Sequence, residues 1–225
     1  MSDCEYELMV LKPEDFEEVA VFLDKHYFTR DPICLGVHVV DAHVREGNLS
    51  KKVRQTLCSG VSIGARVKAN GELAGIRLSV IKPSDECVEH LGPEVELIEI
   101  QEDVMKIFGM LWENVDEFGD EQKILEMFML CVAEEHGKKG LATKLVKECI
   151  RLGKAVGCNR SVVAISNRYS LFLYKKLEFE IVKVLDLTKL GPNYKGPPLD
   201  IDNMNGNSSL YVMIKQGLPQ TLQNV

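Results

Sequence analysis

The sequence lacks the features that mark several large classes of protein. No apolar run approaches the roughly 18 residues that a membrane-spanning helix requires. Its first residues, MSDCEYELMV, do not have the basic-then-apolar order of a signal peptide. The seven cysteines are odd in number and scattered, with no CxxC pair and no Cys/His cluster. These absences predict a cytoplasmic protein with reduced thiols, no metal site and no membrane partner.

Excess positive charge and the common nucleotide-binding motifs are also absent. The 27 Lys and Arg residues are outnumbered by 34 Asp and Glu residues, which gives a net charge of −7. This charge disfavours a nucleic-acid partner and is compatible with a cationic ligand. Neither GxGxxG nor the Gly-Lys-Ser/Thr order of a P-loop occurs. Dinucleotides and nucleoside triphosphates are therefore disfavoured as ligands.

Length and hydrophobic pattern predict one mixed α and β domain. With 225 residues, 45% of them hydrophobic, the chain can form one large core, and we expect a single domain over residues 1–225. Residues 82–94 are predicted as a loop. Alternating and continuous apolar runs predict strands at residues 6–11, 61–69, 72–81, 123–133, 160–166, 179–187 and 208–215. Helical spacing predicts helices at residues 13–26, about 48–59, 100–118, 141–156 and 167–177.

Local signals predict how some of these elements begin and end. Asn70–Gly71 is the dipeptide preferred in type I′ hairpin turns. Asn48 or Ser50 is expected to cap the second helix, and Asn167 to cap the last one. Pro32 and Gly36 are expected to break the pattern that follows the first helix and so to interrupt regular structure there.

The stretch EEHGKKGLATKLVKEC, residues 134–149, places a glycine turn directly before an amphipathic helix. A helix N-terminus carries unpaired N–H groups and a partial positive charge, so it attracts phosphate oxygens. Gly140 leaves room for a ligand, and Lys138, Lys139 and Lys144 add positive charge. From these residues alone the turn is either a phosphate site or a plain, solvated helix start.

Read together with a later segment, this turn resembles the acyl-CoA site of the GNAT superfamily of N-acetyltransferases. In the family's Gln/Arg-x-x-Gly-x-Gly/Ala turn, Gly140 and Ala142 match the last two positions, whereas Gly137 stands in place of Gln or Arg. Lys138 replaces a common Gly, and Glu178 replaces a late Gly in the second motif. That motif, Asn-x-x-Ala-x-x-Leu-Tyr-x-Lys-x-Gly-Phe, is matched by Asn167, Leu173, Tyr174, Lys176 and Phe179. The resemblance implies a GNAT fold of the mixed α/β class, in which helices flank a mostly antiparallel mixed sheet of about seven strands that is splayed in the middle.

Within this superfamily, residues 5–216 are most similar to the insect arylalkylamine N-acetyltransferases. That group has Phe-x-x-(Asp/Glu)-Glu-Pro-Leu after its first helix, and YFTRDPICLG stands there in this chain. Asp31 therefore occupies the position of the group's catalytic Glu, and Ser166 and Ser170 match its Ser-x-x-x-Ser pair. The resemblance implies direct, acetyl-CoA-dependent acetylation of small primary amines in a ternary complex, with dopamine, tyramine or serotonin types favoured.

The resemblance also assigns catalytic roles. Because alkylammonium ions have pKa values near 10.4, a base must take a proton from the amine, and Asp31 is the candidate. Tyr174 is the candidate donor to the departing thiolate, with Ser166 and Ser170 as alternatives. The simpler alternatives are that Asp31 only begins a turn with Pro32 and that Ser166 caps a helix.

Acetyl-CoA is the implied cosubstrate, and no metal is expected. Backbone groups of the central strand would pair with its pantetheine arm, one N–H polarising the thioester carbonyl. Cys131 is a disfavoured alternative acyl carrier, because His136 is the histidine nearest to it in sequence. The predicted cofactor-binding residues are Leu130, Cys131, Val132, Lys138, Lys139, Gly140, Leu141, Ala142, Thr143, Asn167, Ser170, Leu173 and Tyr174.

Two other functions stay open at this stage. A polyamine or agmatine N-acetyltransferase would share the fold, and the amine pocket is built from the segments that the sequence describes least. An acyl-CoA-binding module without catalysis would explain the departures at Gly137 and Asp31. The expected partner is a small-molecule amine, and the expected state is a monomer or weak dimer.

Overall fold

A computed structural model describes residues 5–39, 42, 44–83, 99–191, 194 and 196–217, with only the backbone described at residues 99–101. Most of the loop predicted at residues 82–94 lies outside this part of the chain, as do Cys4, His43, Cys87 and His90. Among the described residues, no helix has the length and apolar character needed to cross a membrane.

Seven strands form one sheet, as predicted. They are β1 (Tyr6–Val10), β2 (Ile63–Val67), β3 (Leu73–Lys82), β4 (Ile124–Val132), β5 (Arg160–Ile165), β6 (Glu180–Asp186) and β7 (Ser209–Gln216). Their order across the sheet is β1-β2-β3-β4-β5-β7-β6. The β4–β5 pair is parallel and the other neighbours are antiparallel. This is the mostly antiparallel mixed sheet that the resemblance implied.

Helices cover both faces of the sheet. They are α1 (Phe16–His26), α2 (Pro32–Gly36), α3 (Gly47–Cys58), α4 (Glu99–Trp112), α5 (Leu141–Ala155) and α6 (Arg168–Lys176). Leu23 of α1 packs with Val53 of α3 and Leu78 of β3 on one face. Leu145 of α5 and Tyr174 of α6 pack with Met127 of β4 on the other. The carboxyl ends of β4 and β5 lie between these two layers.

The chain between α1 and α3 differs from the prediction. Pro32 does not interrupt regular structure but occupies the first turn of α2, where its missing N–H costs nothing. Asp31 caps this helix by accepting the N–H groups of Ile33 and Cys34. The second predicted helix, α3, begins at Gly47 with Glu46 before it, so the caps predicted at Asn48 and Ser50 are wrong.

The turn of the first hairpin and the end of α4 also differ from the predictions. The β2–β3 hairpin is present, but among its turn residues only Gly71 has a positive φ, of 75°, whereas a type I′ turn needs positive φ at both central residues. The N–H of Gly71 donates to the carbonyl of Val67, four residues earlier in the chain. Helix α4 ends at Trp112, ahead of the predicted residue 118, and Asn114 then adopts a left-handed φ of 59°.

Candidate active site

The site begins where two neighbouring parallel strands separate. Residues Ile124 to Met127 of β4 pair with Arg160 to Val163 of β5, and the pairing stops there. The β3–β4 register shifts at the same point, because Leu78 pairs with Met129 and Ser79 with Met127. Phe128 is therefore an extra residue in β4, which bends the strand away from β5. The last residues of β4 are left without a neighbour on the β5 side.

Backbone groups of Leu130 and Val132 face this opening. Neighbouring residues of a strand direct their N–H and C=O groups to opposite sides, and the N–H of Ala133 donates to Ala74 on the β3 side. The same alternation turns the backbone groups of Cys131 toward β3, so they do not face the opening. Of the three predicted strand residues, Leu130 and Val132 can pair with an extended ligand through their backbone.

Arg30, which the sequence analysis did not single out, contacts this open edge. Its Nη2 donates to the carbonyl oxygen of Val132 at 2.9 Å and to the Cys131 sulfur at 3.3 Å. Its Nε donates to the His26 carbonyl at 2.6 Å, which holds the guanidinium at the end of α1. The Val132 carbonyl at the open edge of β4 thus accepts a hydrogen bond from a charged side chain whose chain neighbour is Asp31.

Asp31 and Ser166 meet at the mouth of the opening. The Ser166 hydroxyl donates to Asp31 Oδ2 at 2.7 Å, and the N–H groups of Ile33 and Cys34 donate to Oδ1 at 3.0 and 3.1 Å. Asp31 is 8% exposed and has no basic ion-pair partner among the described residues. The capping role weighed for Ser166 belongs to Asn167, whose Oδ1 accepts from Tyr169 and Ser170.

A cavity of about 710 Å³ joins these groups. Asp31, Ser166, Ser170, Tyr174 and the β4 edge all line it, so the four predicted catalytic residues share one space. Other predicted cofactor-binding residues in the lining are Ala142, Asn167 and Leu173. Tyr27, Phe128 and Tyr169 add aromatic walls that the sequence analysis did not identify.

Tyr174 forms part of the buried floor of the cavity. Its side chain is 1% exposed, and its hydroxyl contacts the Met127 sulfur at 3.7 Å. Burial raises the pKa of Tyr174 to about 12, an effect that the nearby Arg77 guanidinium opposes. At neutral pH the phenol is therefore protonated and can act as a proton donor.

The glycine turn forms the N-terminus of α5. Gly140 has a left-handed φ of 76° and open space around the position of a Cβ atom. The first turn of an α-helix leaves its N–H groups without intrahelical acceptors, which makes those of Leu141, Ala142 and Thr143 available to an anion. This open, electropositive turn fits a phosphate group, and it follows the open edge of β4 directly along the chain.

One lysine of this turn, Lys139, has its charge paired with a carboxylate. Lys139 forms an ion pair with Glu5 at 2.9 Å, and this hydrogen bond raises the pKa of Lys139. His136 accepts from or donates to the Tyr6 hydroxyl at 2.9 Å, so both residues fasten the turn to β1. Lys138 has a positive φ of 60°, and its side chain is exposed.

The covalent route through Cys131 finds little support in the geometry. Among the described residues, no group of three or more His, Cys, Asp or Glu side chains is placed to hold a metal ion. Burial raises the pKa of Cys131 to about 11, so this thiol is a weak nucleophile near neutral pH.

Comparison with known proteins identifies the family. The acetyltransferase (GNAT) family matches residues 67–179, which is just over half of the chain. The chain belongs to the GNAT family. It is accordingly an acyltransferase, of a family that uses acetyl-CoA.

Solved structures share the fold over nearly the whole chain. Arylalkylamine N-acetyltransferase 2 from Aedes aegypti has a TM-score of 0.77 and 20% identity, over 94% of this chain and 98% of that one. The Drosophila melanogaster polyamine N-acetyltransferase, which forms N-acetylagmatine, has a TM-score of 0.68 and 13% identity, over 94% and 100%. The NatC complex bound to CoA and a Gag peptide matches with a TM-score of 0.54 and 15% identity, over 96% and 99%. At these identities the likeness concerns the fold.

Proposed function

We propose that this chain transfers the acetyl group of acetyl-CoA directly to small primary amines, with arylalkylamines favoured. The observation that carries this proposal is one cavity lined by Asp31, Tyr174 and the open edge of β4. A carboxylate, a protonated phenol and backbone groups that no neighbouring strand pairs are the three components that amine acetylation needs. The family and the fold of an arylalkylamine N-acetyltransferase support the same assignment.

The cofactor is held mainly by the backbone. Leu130 and Val132 pair with the pantetheine arm along the open edge of β4, and Leu141 to Thr143 bind the pyrophosphate at the N-terminus of α5. Bound acetyl-CoA supplies an activated thioester whose carbonyl carbon can be attacked. A backbone N–H at the bend of β4 polarises that carbonyl.

Asp31 acts as the base and as the anchor for the ammonium group. The substrate amine is mostly protonated at neutral pH, so a carboxylate first attracts it and then accepts its proton directly or through a water. Three hydrogen bonds fix this carboxylate in position. Ser166, one of these donors, orients Asp31 and is itself a candidate proton relay.

Tyr174 donates a proton to the departing thiolate. Its phenol is protonated across the physiological range, because burial raises its pKa to about 12. Ser170 lines the same cavity and is the competing donor. An acyl-enzyme on Cys131 is disfavoured by the raised pKa of that thiol.

The lining favours arylalkylamines over polyamines. Among the described residues that line the cavity, Asp31 is the one carboxylate, whereas Tyr27, Phe128, Tyr169 and Tyr174 are aromatic. A polyamine or agmatine carries a second cation that would need a second anion, and the cavity instead includes Arg30, Arg77 and Arg168. One carboxylate beside aromatic walls matches a single amine attached to an aromatic ring.

A thiol-release assay with a panel of amines tests the proposal. Purified protein and acetyl-CoA are combined with dopamine, tyramine, serotonin, agmatine, putrescine or spermidine, and free thiol is measured over time. We expect amine-dependent release with the three arylalkylamines and less than about one tenth of that kcat/KM with the polyamines. Faster release with agmatine would overturn the substrate assignment.

The same assay separates the enzyme from a non-catalytic module. Binding of CoA with no amine-dependent thiol release for any member of the panel would reject catalysis. Lys25→Ala is a matched control, because Lys25 is exposed on α1 and outside the cavity lining. Its activity should equal that of the unsubstituted chain.

A further inference from the structure

Arg77 is a buried cation without a described counter-ion. It lies on β3, directly opposite Leu130 of β4, and is 1% exposed. Its Nε and Nη2 atoms are buried and have no hydrogen-bond partner among the described residues. No carboxylate of the described chain lies within ion-pair distance of it. Burying an unpaired charge is strongly unfavourable, so this arginine calls for an explanation.

The guanidinium lies against the floor of the cavity. It is 6.0 Å from the centre of the Tyr174 ring, and Arg77 is itself part of the cavity lining. The titratable groups that feel its charge are Tyr174 and Cys149, whose pKa values it lowers against the raising effect of burial. The thiol of Cys149, a buried residue of α5, donates to the Ser79 hydroxyl at 3.1 Å, and Cys149 does not line the cavity. Tyr174 is therefore the neighbour that connects Arg77 to the cavity.

We propose that Arg77 is a positioning residue that acts through Tyr174: its charge makes the phenol a better hydrogen-bond and proton donor to the coenzyme A sulfur and stabilises the phenolate formed when the thioester breaks. This inference rests on the proposed function. The new carbon–nitrogen bond forms, and the carbon–sulfur bond breaks with its electron pair leaving on sulfur. Tyr174 gives its proton to that sulfur. The ammonium has already lost one proton to Asp31, which passes it to solvent, and the second proton, which the nitrogen loses after the attack, returns to the phenolate. Arg77 lowers the energy of the phenolate in between.

Cleavage of the carbon–sulfur bond gives the charge of Arg77 a function. In the folded protein before reaction, the charge of Arg77 is uncompensated among the described residues, which costs stability. During carbon–sulfur cleavage an anion forms at the same place, and an oriented cation in a dry site stabilises it far more than water would. The interaction is thus stronger in the transition state than in the ground state, as catalysis requires.

The test compares Arg77→Met with Arg77→Lys. Methionine keeps an unbranched, apolar chain in the buried space, and lysine keeps the charge. Ultraviolet absorbance of the thiolate gives the pKa of the CoA thiol in the binary complex with each protein. We expect this pKa to be about one unit higher with Arg77→Met than with the unsubstituted chain, and intermediate with Arg77→Lys. The kcat should fall about tenfold in Arg77→Met, with the KM of the amine changed less than about twofold.

Two controls make the outcome decisive. Arg151→Met removes an exposed, ion-paired arginine from α5 and should change neither quantity. In a Tyr174→Phe background, Arg77→Met should add little further loss of kcat, because the charge acts through the phenol. We expect Arg77→Met to fold with an equal or higher Tm, since it removes an unpaired buried charge.

An unchanged thiol pKa in Arg77→Met would overturn the inference, as would a full further loss of kcat in the Tyr174→Phe background. The thiol titration needs no amine, which keeps this result separate from the proposed function. A chain that acetylates no amine in the panel would fail the proposed function. Even then, the Arg77 assignment would be supported if the thiol of bound CoA had a lower pKa in the unsubstituted chain than in Arg77→Met.

Discussion

The Ser166 hydroxyl lies 2.7 Å from Oδ2 of Asp31, although the two residues are 135 positions apart in the chain. Asp31 ends the turn after α1, and Ser166 directly follows β5. Their hydrogen bond joins the helical segment above the splayed strands to the strand that forms one side of the opening. It thereby holds a carboxylate in the wall of the cavity, which both residues line.

Asp31→Asn should lower turnover far more at neutral than at alkaline pH. Asparagine is also a good N-cap, so α2 should remain folded while the carboxylate base is lost. We expect kcat/KM to fall about 10²–10⁴-fold near pH 7 and to recover partly near pH 10, where the amine itself loses its proton. Asp24→Asn, which alters an exposed ion pair with Arg45, is the control. A loss of equal size at all pH values would rule out the base role.

Ser166→Ala and Asp31→Asn should be strongly non-additive. Because the hydroxyl acts through its bond to Asp31, it should matter little once the carboxylate is gone. We expect a coupling of about 0.5–3 kcal/mol in a double-mutant cycle on kcat/KM. Ser170→Ala is the matched comparison, since Ser170 lines the same cavity and, among the described residues, forms no hydrogen bond to Asp31. Coupling of Ser170 equal to that of Ser166 would contradict the geometry.

Gly140→Ala should weaken acetyl-CoA binding more than it destabilises the fold. The left-handed φ of 76° makes alanine strained by about 1 kcal/mol, and the added methyl would point into space that a phosphate needs. Gly157→Ala is a matched control at the other end of α5, with φ of 93° and equally open surroundings. We expect similar losses of Tm in both variants and a raised Kd for CoA in Gly140→Ala alone. Equal Kd values would remove the phosphate role of the turn.

Arg30→Ala should tighten the binding of acetyl-CoA. Arg30 donates to the Val132 carbonyl, which the pantetheine arm is proposed to use, so its hydrogen bond must break when the cofactor binds. Removing an exposed charged donor of this kind should lower Kd by about fivefold, or about 1 kcal/mol. Calorimetry with CoA measures this, with Lys25→Ala as the charge-matched control. Weaker binding in Arg30→Ala would indicate that the guanidinium contacts the cofactor instead.

Tyr174 should reduce stability at alkaline pH. Its pKa is raised to about 12 in the folded protein and is near 10 when unfolded, so the unfolded state loses its proton first as pH rises. The contribution is fully present below about pH 10 and is lost progressively toward about pH 12. In urea unfolding, the unsubstituted chain should lose about 1 kcal/mol more than Tyr174→Phe between about pH 9 and about pH 11. The exposed Tyr169 offers the control Tyr169→Phe, which should behave like the unsubstituted chain.

The parts of the fold that the sequence predicts well are those with a strong local signal. Central strand β4 is an apolar run, α5 has a clear amphipathic stripe between Gly140 and Gly157, and Asn167 caps α6 as expected. The hairpin around Gly71 was found, but its turn type was not, because the dipeptide preference does not fix loop length. Pro32 was misread because a proline both breaks a helix and starts one, and the cap at Asp31 decides between them.

The site residues divide in the same way. Asp31, Ser166, Ser170 and Tyr174 could be proposed from motif positions, and they do line one cavity. Arg30 was missed, because an exposed arginine at a helix end has many ordinary explanations. Arg77 did carry a signal, as a charged residue in the middle of the apolar strand LAGIRLSVIK, but the sequence does not show whether another buried side chain pairs with it. Single domain organisation and the monomer or weak dimer stay predictions.

The residues alone were enough to predict the seven strands, five of the six described α-helices, the glycine turn and the chemical types available for catalysis. These depend on periodicity, backbone freedom and side-chain chemistry, all of which act over a few neighbouring residues. Only the tertiary structure decided that β4 parts from β5 after Met127, that Asp31 meets Ser166, and that Arg77 lies unpaired beside Tyr174. Such relationships depend on register and packing between segments far apart in sequence, for which no local pattern exists.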